Sequence, residues 1–528
     1  MDFAQELAGR LDGEVSTEEA VLVHYSSAAC HYEIRPRAVV WPRHAEDVEA
    51  LVAVCREAGV SITARGAGSG VAGQSVGAGV VADFTRHMNR IVEVRPDERT
   101  VRVQPGVTLG ALNASLAPVG LRFAPDPSSA EYCTIGGMIA NNAGGPHSLL
   151  TGSTRDHVAA LSAVTGAGAL LEARPVGNAE LPEAAGENGR LARAFASGLS
   201  GKRDTIARFG MRTSRNSSGY DLPGVFAGGG VSLPRLLTGS EGTLALVTEA
   251  TLRLLPHPPA RGTALVLFDD LARAGEGVLE ALREGPSCAE LVSETLLAML
   301  REDSPALGRF VPSSARAMVI LEYDAENASE AAAGLERIRR RVSGAKRLAS
   351  EFLSVTDPGR RAEIWAVRAA ASLILSAREG ARRNMRFIED ACVPPARLVD
   401  FIEGVSAMMR RERIETAVFG HAGDSLIHVN PLMDPDDPGF FRRVEAIASE
   451  FTDLVIRCDG TLSGEHGDGR VRTPFLPRRF GPLYPLFGEV KALFDPGEIL
   501  NPGIIVGAGA RGLTDGMRRG PTPWKNCP

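Results

Sequence analysis

Cysteine is sparse and unpaired in this sequence. The seven cysteines (30, 55, 133, 288, 392, 458 and 527) are scattered, and no two form a CxxC spacing. Such a set excludes a disulfide framework, provides no thiolate cluster for iron–sulfur or zinc, and fits a reducing cytoplasm. Lysine occurs only four times among 58 basic residues, so arginine carries nearly all the positive charge. At a net charge of −6, no basic block interleaved with aromatics is present, which argues against nucleic acid. No apolar run reaches the ~18 residues of a membrane-spanning helix. The opening residues, Met1-Asp-Phe-Ala-Gln-Glu, have neither a basic region nor an apolar core, so no signal peptide is expected. What is left is an ordinary globular composition, 44% apolar and 23% charged. Its 528 residues are long enough for two or more domains.

Glycine, by contrast, is abundant and clustered. Ala64-Arg-Gly-Ala-Gly-Ser-Gly-Val-Ala-Gly73 follows a strand-like run from Val60 to Thr63, and Gly68, Gly70 and Gly73 spell GxGxxG. A Rossmann turn needs a helix opening directly behind those glycines. Instead, Gln74 to Val80 holds two further glycines, and Val80 to Phe84 reads as another strand, so that fingerprint fails. The stretch is then either a plain flexible loop or a bed whose backbone N–H groups cradle phosphates without a helix dipole.

Along the chain, residues 1–35 read as helix and loop, Val39 to Pro42 as a strand, and Ala45 to Ala58 as a helix stopped by Gly59. Thr100 to Gln104 alternates as a half-buried strand. Ala124 to Ser128 is a rigid turn. Thr134 to Met138 and Asn141 to Gly145 add glycines beside apolar residues, suited either to tight turns or to a large flat ligand lying against bare backbone. Residues 174 to 210 read as polar helix, and Leu244 to Leu255 as a strand. Pro256-His-Pro-Pro259 marks the boundary between a domain at 36–256 and another at 257–506. In the second, strands at 263–268 and 317–323, helices at 271–284 and 325–342, a basic helix at 360–385, a hairpin at 415–432 and a helix at 438–458 suggest an antiparallel sheet flanked by helices. The tail, 507–528, is expected to be disordered.

The hairpin carries the sharpest chemistry. In Phe419-Gly-His-Ala-Gly-Asp-Ser-Leu-Ile-His-Val-Asn430, a two-residue loop at Asp424-Ser425 would place His421 opposite His428, Cβ atoms ~5 Å apart, close enough to chelate one metal. Ser463-Gly-Glu-His-Gly-Asp-Gly469 then offers Glu465 as an anionic third ligand. His466, pointing elsewhere, is left as a base of ordinary pKa for a hydroxyl proton. Each of these residues taken singly also reads as polar surface. Two histidines and a carboxylate equally suit a non-haem iron oxygenase or a zinc hydrolase, but neither would explain the glycine-rich first half.

Arg65-Gly-Ala-Gly-Ser-Gly, Pro125-Asp-Pro-Ser, Thr134-Ile-Gly-Gly-Met, Asn142-Ala-Gly-Gly, Gly239-Ser-Glu-Gly-Thr-Leu, His421-Ala-Gly-Asp, His428, Gly464-Glu-His-Gly and Asn501-Pro-Gly occur in order over residues 20–506. In this the chain resembles the FAD-linked oxidases of the vanillyl-alcohol oxidase type, in the branch of glycolate oxidase flavin subunits, D-lactate dehydrogenases and D-2-hydroxyglutarate dehydrogenases. The resemblance implies an α+β protein: a two-lobed PCMH-type FAD-binding domain followed by a substrate domain with an antiparallel sheet. It places FAD against Arg65, Gly66, Ala67, Gly68, Ser69 and Gly70, against Pro125, Asp126 and Ser128, and against Thr134, Gly136 and Gly137. Asn142, Gly144, Gly145, Glu241 and Asn501 complete that set. Ser69 stands where covalent members carry a histidine, so FAD is expected to be dissociable.

The resemblance also implies zinc or a similar divalent ion on His421, His428 and Glu465, His466 as base, and Arg368, in Ile364-Trp-Ala-Val-Arg368, on the substrate carboxylate. An exposed helix arginine is the plainer reading of Arg368. Where the family continues Gly-Asp-Gly-Asn-Leu-His, this chain has Gly423-Asp-Ser-Leu-Ile-His428, which leaves the substrate open. Glu389-Asp390 before Val393-Pro394, with Asp468, resembles larger members fused to an iron–sulfur domain. The expected partners are therefore a small 2-hydroxy acid and a separate electron acceptor or iron–sulfur protein, with a homodimer and a cytoplasmic location, peripheral to the inner membrane through that partner. An oxygen-using oxidase, an alkyl-glycerone-phosphate synthase and a non-catalytic flavin subunit are the rival readings.

Overall fold

The computed structural model describes residues 3–303, 311–355, 357–377, 382–509 and 511–519. Its first sheet grows from a strand–helix–strand unit with clear stop signals. Ala38–Trp41 is buried at every position. Helix Ala45–Ala58 starts at His44, whose ring accepts from the Asp47 amide, carries Glu46 and Asp47 in its first turn, and stops at Gly59 with φ of 62°. Val80–Asp83 lies between Ala38–Trp41 and Ile62–Arg65, parallel to both. Glu14–Ser16 adds an antiparallel edge, so the segment 1–35 contributes a strand as well as helices Phe3–Arg10 and Glu19–Tyr25.

Five antiparallel strands make the second sheet, in the order 91–95, 100–103, 245–253, 158–165, 170–173. Beside it, the stretch expected as glycine turns is partly a helix, Ile135–Asn141, whose N-cap Thr134 accepts from the Gly137 amide. Gly136 serves that packing: a Cβ there would lie 2.6 Å from the Pro105 side chain.

The third sheet is antiparallel throughout, in the order 351–355, 260–268, 317–325, 288–293, 416–420, 426–433, 383–384, with 391–392 also paired to 426–433. Alternation decides what covers each face. Ala264, Val266 and Phe268 share a core with helices Leu271–Leu282, Ala328–Arg339 and Leu398–Glu412. Leu265, Leu267, Met318 and Ile320 pack against Glu294–Asp303 and Pro358–Ala377 on the other side. The helix expected over 360–385 is thus Pro358–Ala377. Its expected portion at 378–381 lies outside the described residues, and Arg383–Asn384 is strand.

The tail also departs from expectation. Met517 bridges Tyr32, the Tyr32 hydroxyl donates to the Leu513 carbonyl, and the Arg518 guanidinium donates to the Cys30 carbonyl. Residues 510 and 520–528, including Cys527, lie outside the described residues. The other six cysteines are free and buried. Among the described residues, no helix is long and apolar enough to cross a membrane.

Candidate active site

Strands Thr416–Gly420 and Leu426–Met433 form the expected hairpin in a different register. Phe419, not His421, faces His428, because residues 421–425 make a longer loop with a helical turn at Ala422–Asp424 and Ser425 at φ 57°. A two-residue loop would demand a tight primed turn, and the Ala-Gly-Asp-Ser sequence folds into the helical turn instead. That loop still returns His421 to His428, their ring centroids 5.5 Å apart and edge-on.

Glu465 joins them from the loop after helix Phe440–Arg457. The buried Asp390 carboxylate holds this loop by accepting from Ser463 Oγ and from the Glu465 and His466 amides. Arg215 Nη1 donates to Glu465 Oε2 at 2.9 Å, which leaves Oε1 for the imidazoles. His421 Nε2 stands 3.0 Å, His428 Nε2 3.4 Å and His466 Nε2 3.6 Å from that oxygen. His466 therefore does not point away from the cluster. Its ring stacks on His428 at 5.0 Å, and Nδ1 lies 2.7 Å from Glu389. His421 Nδ1 lies 2.5 Å from the fully buried Glu290, which also pairs with Arg368 Nε at 3.1 Å.

Charge governs these groups. Burial would lower both His421 and His466, but Glu290 and Glu465 outweigh it at the first, raising it to about 10. Glu389 and Asp390 raise the second to about 9, not the ordinary value expected from sequence. Burial would conversely raise Glu465 and Glu389, yet the neighbouring His421 and His466 charges hold them well below the usual carboxylate range. Two imidazoles and a carboxylate with ligand atoms all within 4.8 Å of one another make a nitrogen–oxygen donor set suited to a divalent ion. His428 Nδ1, buried, makes no hydrogen bond among the described residues; Glu389 stands 3.4 Å away. The residues present fit a metal.

These side chains open onto one cavity of about 1850 Å³, which the glycine loop also lines. From the sequence candidates, Gly66, Ala67, Gly68, Ser69 and Gly70 lie on its wall, as do Asp126, Ser128, Thr134, Gly137, Gly144 and Glu241. His421, His428, Glu465, His466 and Arg368 line the same space. No helix follows the glycines, and a Cβ on Gly66 would meet Thr134 Oγ1 at 2.1 Å, so bare backbone faces the cavity here. Gly144 touches the other half: a Cβ would come within 3.2 Å of Glu465 Oε2. Volume and bare backbone fit a dinucleotide-sized cofactor.

Six candidates stand behind the wall. Arg65 donates to the Ser27 carbonyl and lies over Tyr25. Pro125 precedes the lining Asp126, and Gly136 meets Pro105. A Cβ on Gly145 would strike the Asp126 carbonyl at 2.2 Å. Asn142 accepts from the Arg155 amide, and Asn501 donates to the Gln74 and Glu241 carbonyls. Arg368 is buried rather than exposed, its guanidinium over Phe419. Glu290, Glu389 as the partner of His466, and Arg215 were not singled out from the sequence. Only the Glu389-Asp390 pair left a trace there, through the family resemblance.

The family model "FAD binding domain" matches residues 36–174, and "FAD linked oxidases, C-terminal domain" matches 257–505. D-2-hydroxyglutarate dehydrogenase of Escherichia coli strain K12 is 33% identical over 533 residues, covering 96% of this chain and 52% of the relative. The chain thus spans about half the length of that relative. Glycolate oxidase subunit GlcD of the same strain is 30% identical over 492 residues, covering 92% of this chain and 87% of GlcD. The solved structure of 4-ethylphenol oxidase from Gulosibacter chungangensis superposes with a TM-score of 0.68 over 96% of each chain, at 15% identity. The fold is accordingly the α+β, PCMH-type one expected from the sequence.

Proposed function

Because this chain belongs to the FAD-linked oxidases, we propose that it is an FAD-dependent dehydrogenase converting a small D-2-hydroxy acid to the 2-oxo acid. One observation carries the reading: the glycine bed and the histidine–carboxylate centre line the same cavity. When bound, FAD supplies a hydride acceptor, and a divalent ion on His421, His428 and Glu465 supplies Lewis acidity toward the hydroxyl.

The protein's own groups do the rest. Loop 66–70 and the wall at 126–144 hold the cofactor without a covalent bond, Ser69 offering no nucleophile of the histidine kind. His466 takes the hydroxyl proton at Nε2, since Nδ1 is committed to Glu389; with its pKa raised to about 9 it does so from the neutral form, whose share grows as pH rises toward 9. Glu389 fixes the ring's tautomer and stabilises the imidazolium that forms, and is itself held by Arg472 at 2.6 Å. Arg368, beside Phe419 on the cavity wall, offers the substrate carboxylate a cation. Glu290 and Arg215 are positioning groups: the first orients His421, the second fixes one oxygen of Glu465.

The substrate is a small one of the D-lactate, glycolate or D-2-hydroxyglutarate type, and zinc is the proposed metal. A dye-reduction screen of the purified chain loaded with FAD and zinc, using D-lactate, glycolate, D-2-hydroxyglutarate and D-malate, tests this directly. Reduction by at least one acid is expected, and reduction by none contradicts it. The likeness to GlcD favours a second reading, a flavin subunit working inside a larger oxidase. Turnover of the isolated chain with an artificial acceptor separates the two.

A further inference from the structure

We propose that Gln74, assigned to no role above, couples the cofactor to the peptide that carries Glu465 and His466; this rests on the flavin reading. Gln74 sits at the end of the glycine stretch, 6% exposed, and lines the cavity. Its Nε2 donates to the His466 backbone carbonyl at 2.8 Å and to Asn141 Oδ1 at 3.0 Å. A backbone carbonyl can only accept, so the orientation of the amide is fixed by chemistry. Oε1 is thereby turned toward an environment where, among the described residues, it finds no hydrogen-bond partner. Ser75 Oγ, next along the same wall, is also buried and without a partner. Two consecutive residues that line one cavity thus each keep a buried polar atom without a partner among the described residues, as groups completed by a ligand would.

The placement of Gln74 is built in. Its side chain lies across Gly70, where a Cβ would stand 3.2 Å from Nε2, and its own carbonyl accepts from Asn501 Nδ2. A neighbouring bond ties the same two segments, the Arg470 amide donating to the Ala72 carbonyl, and a third segment steadies the histidine loop, Glu241 accepting from the Asp468 and Gly469 amides. The loop bearing the histidine thus hangs from the cofactor loop. An acceptor at Oε1 selects an N–H or O–H donor, which the isoalloxazine ring and ribityl chain possess and an ionised pyrophosphate lacks. When that donor engages Oε1, the Gln74 amide is immobilised, and with it the His466 carbonyl and the adjoining metal ligand Glu465. Gln74 is a positioning residue, and FAD and metal affinities are linked through it.

The test measures the FAD dissociation constant by flavin fluorescence, and the zinc dissociation constant by competition with a chromophoric chelator, each with and without the other ligand. In the unaltered chain, FAD is expected to tighten zinc binding by about fivefold or more. In Gln74→Leu, FAD binding should weaken about tenfold, and the ratio of zinc affinities with and without FAD should fall to near one while the melting temperature changes little. An unchanged FAD constant in a folded Gln74→Leu, or zinc affinity independent of FAD in the unaltered chain, overturns the proposal. Should the variant fail to fold, the measurement on the unaltered chain decides alone. A chain that binds neither FAD nor zinc would instead remove the flavin reading itself.

Discussion

The two walls of the cavity are made of opposite materials. The front wall is backbone: Gly66, Gly68, Gly70, Gly137 and Gly144 present little but peptide. The rear wall is buried charge, with His421, His428, His466, Glu465 and Arg368 on it, and Glu290, Glu389 and Arg215 close behind. A large cofactor that carries its own chemistry needs room and amide donors. A small cation and a mobile proton need several charged groups converging on one point. The difference predicts that substitutions in front change chiefly how the large cofactor is held, and those behind change the cation and the proton transfer.

The largest expected effect breaks the comparison at the rear. His466→Ala should lower kcat by about 10²–10⁴-fold while FAD stays bound, read from turnover and the flavin spectrum together. Equal turnover would refute the base assignment. The next concerns His147, which joins the walls: Nδ1 lies 2.5 Å from Asp126 and Nε2 2.6 Å from Glu322 on the third sheet. Burial would lower its pKa, but those two hydrogen bonds raise it to about 9. A folded pKa above the unfolded ~6.5 stabilises fully below pH 6.5 and is lost as pH rises through about 9. The contribution is about 3 kcal/mol at most, and His147→Gln should flatten the fall of melting temperature across that window.

How much of this was legible beforehand follows from the same division. The front wall announces itself, because glycine dense enough to expose backbone leaves a visible pattern; helix Ala45–Ala58 was legible through its Gly59 stop. His421, His428 and Glu465 were legible as residue types, yet the hairpin register was not. The loop at 421–425 sets Gly423 close against Leu149 and Ala289, neighbours far away in sequence that the hairpin residues do not announce. Glu290 and Arg215 stayed hidden for a related reason. Each is a lone charge in a strand or loop, and only strand pairing and loop return bring it to the histidines. The ionisation of His466 is not legible in the sequence because Glu389 approaches it from 77 positions away.

Smaller effects sharpen the contrast. Glu290→Gln should weaken zinc binding by about 10- to 100-fold through His421, with FAD affinity kept, as a chelator titration would report. Gly66→Ala should do the reverse. Its new methyl displaces Thr134 from the cap of Ile135–Asn141, costing about 1 kcal/mol of stability by thermal melting, and weakening FAD but not zinc.

Most direct of all is the absorbance spectrum of the purified chain, incubated with FAD and zinc and then titrated without oxygen with the hydroxy acid that performs best in the dye screen. A bound flavin spectrum that bleaches with the acid, and bleaches far more slowly in His466→Ala, is what one shared cavity predicts. Protein that stays colourless after FAD is offered, or a bound flavin that no 2-hydroxy acid reduces, would contradict it.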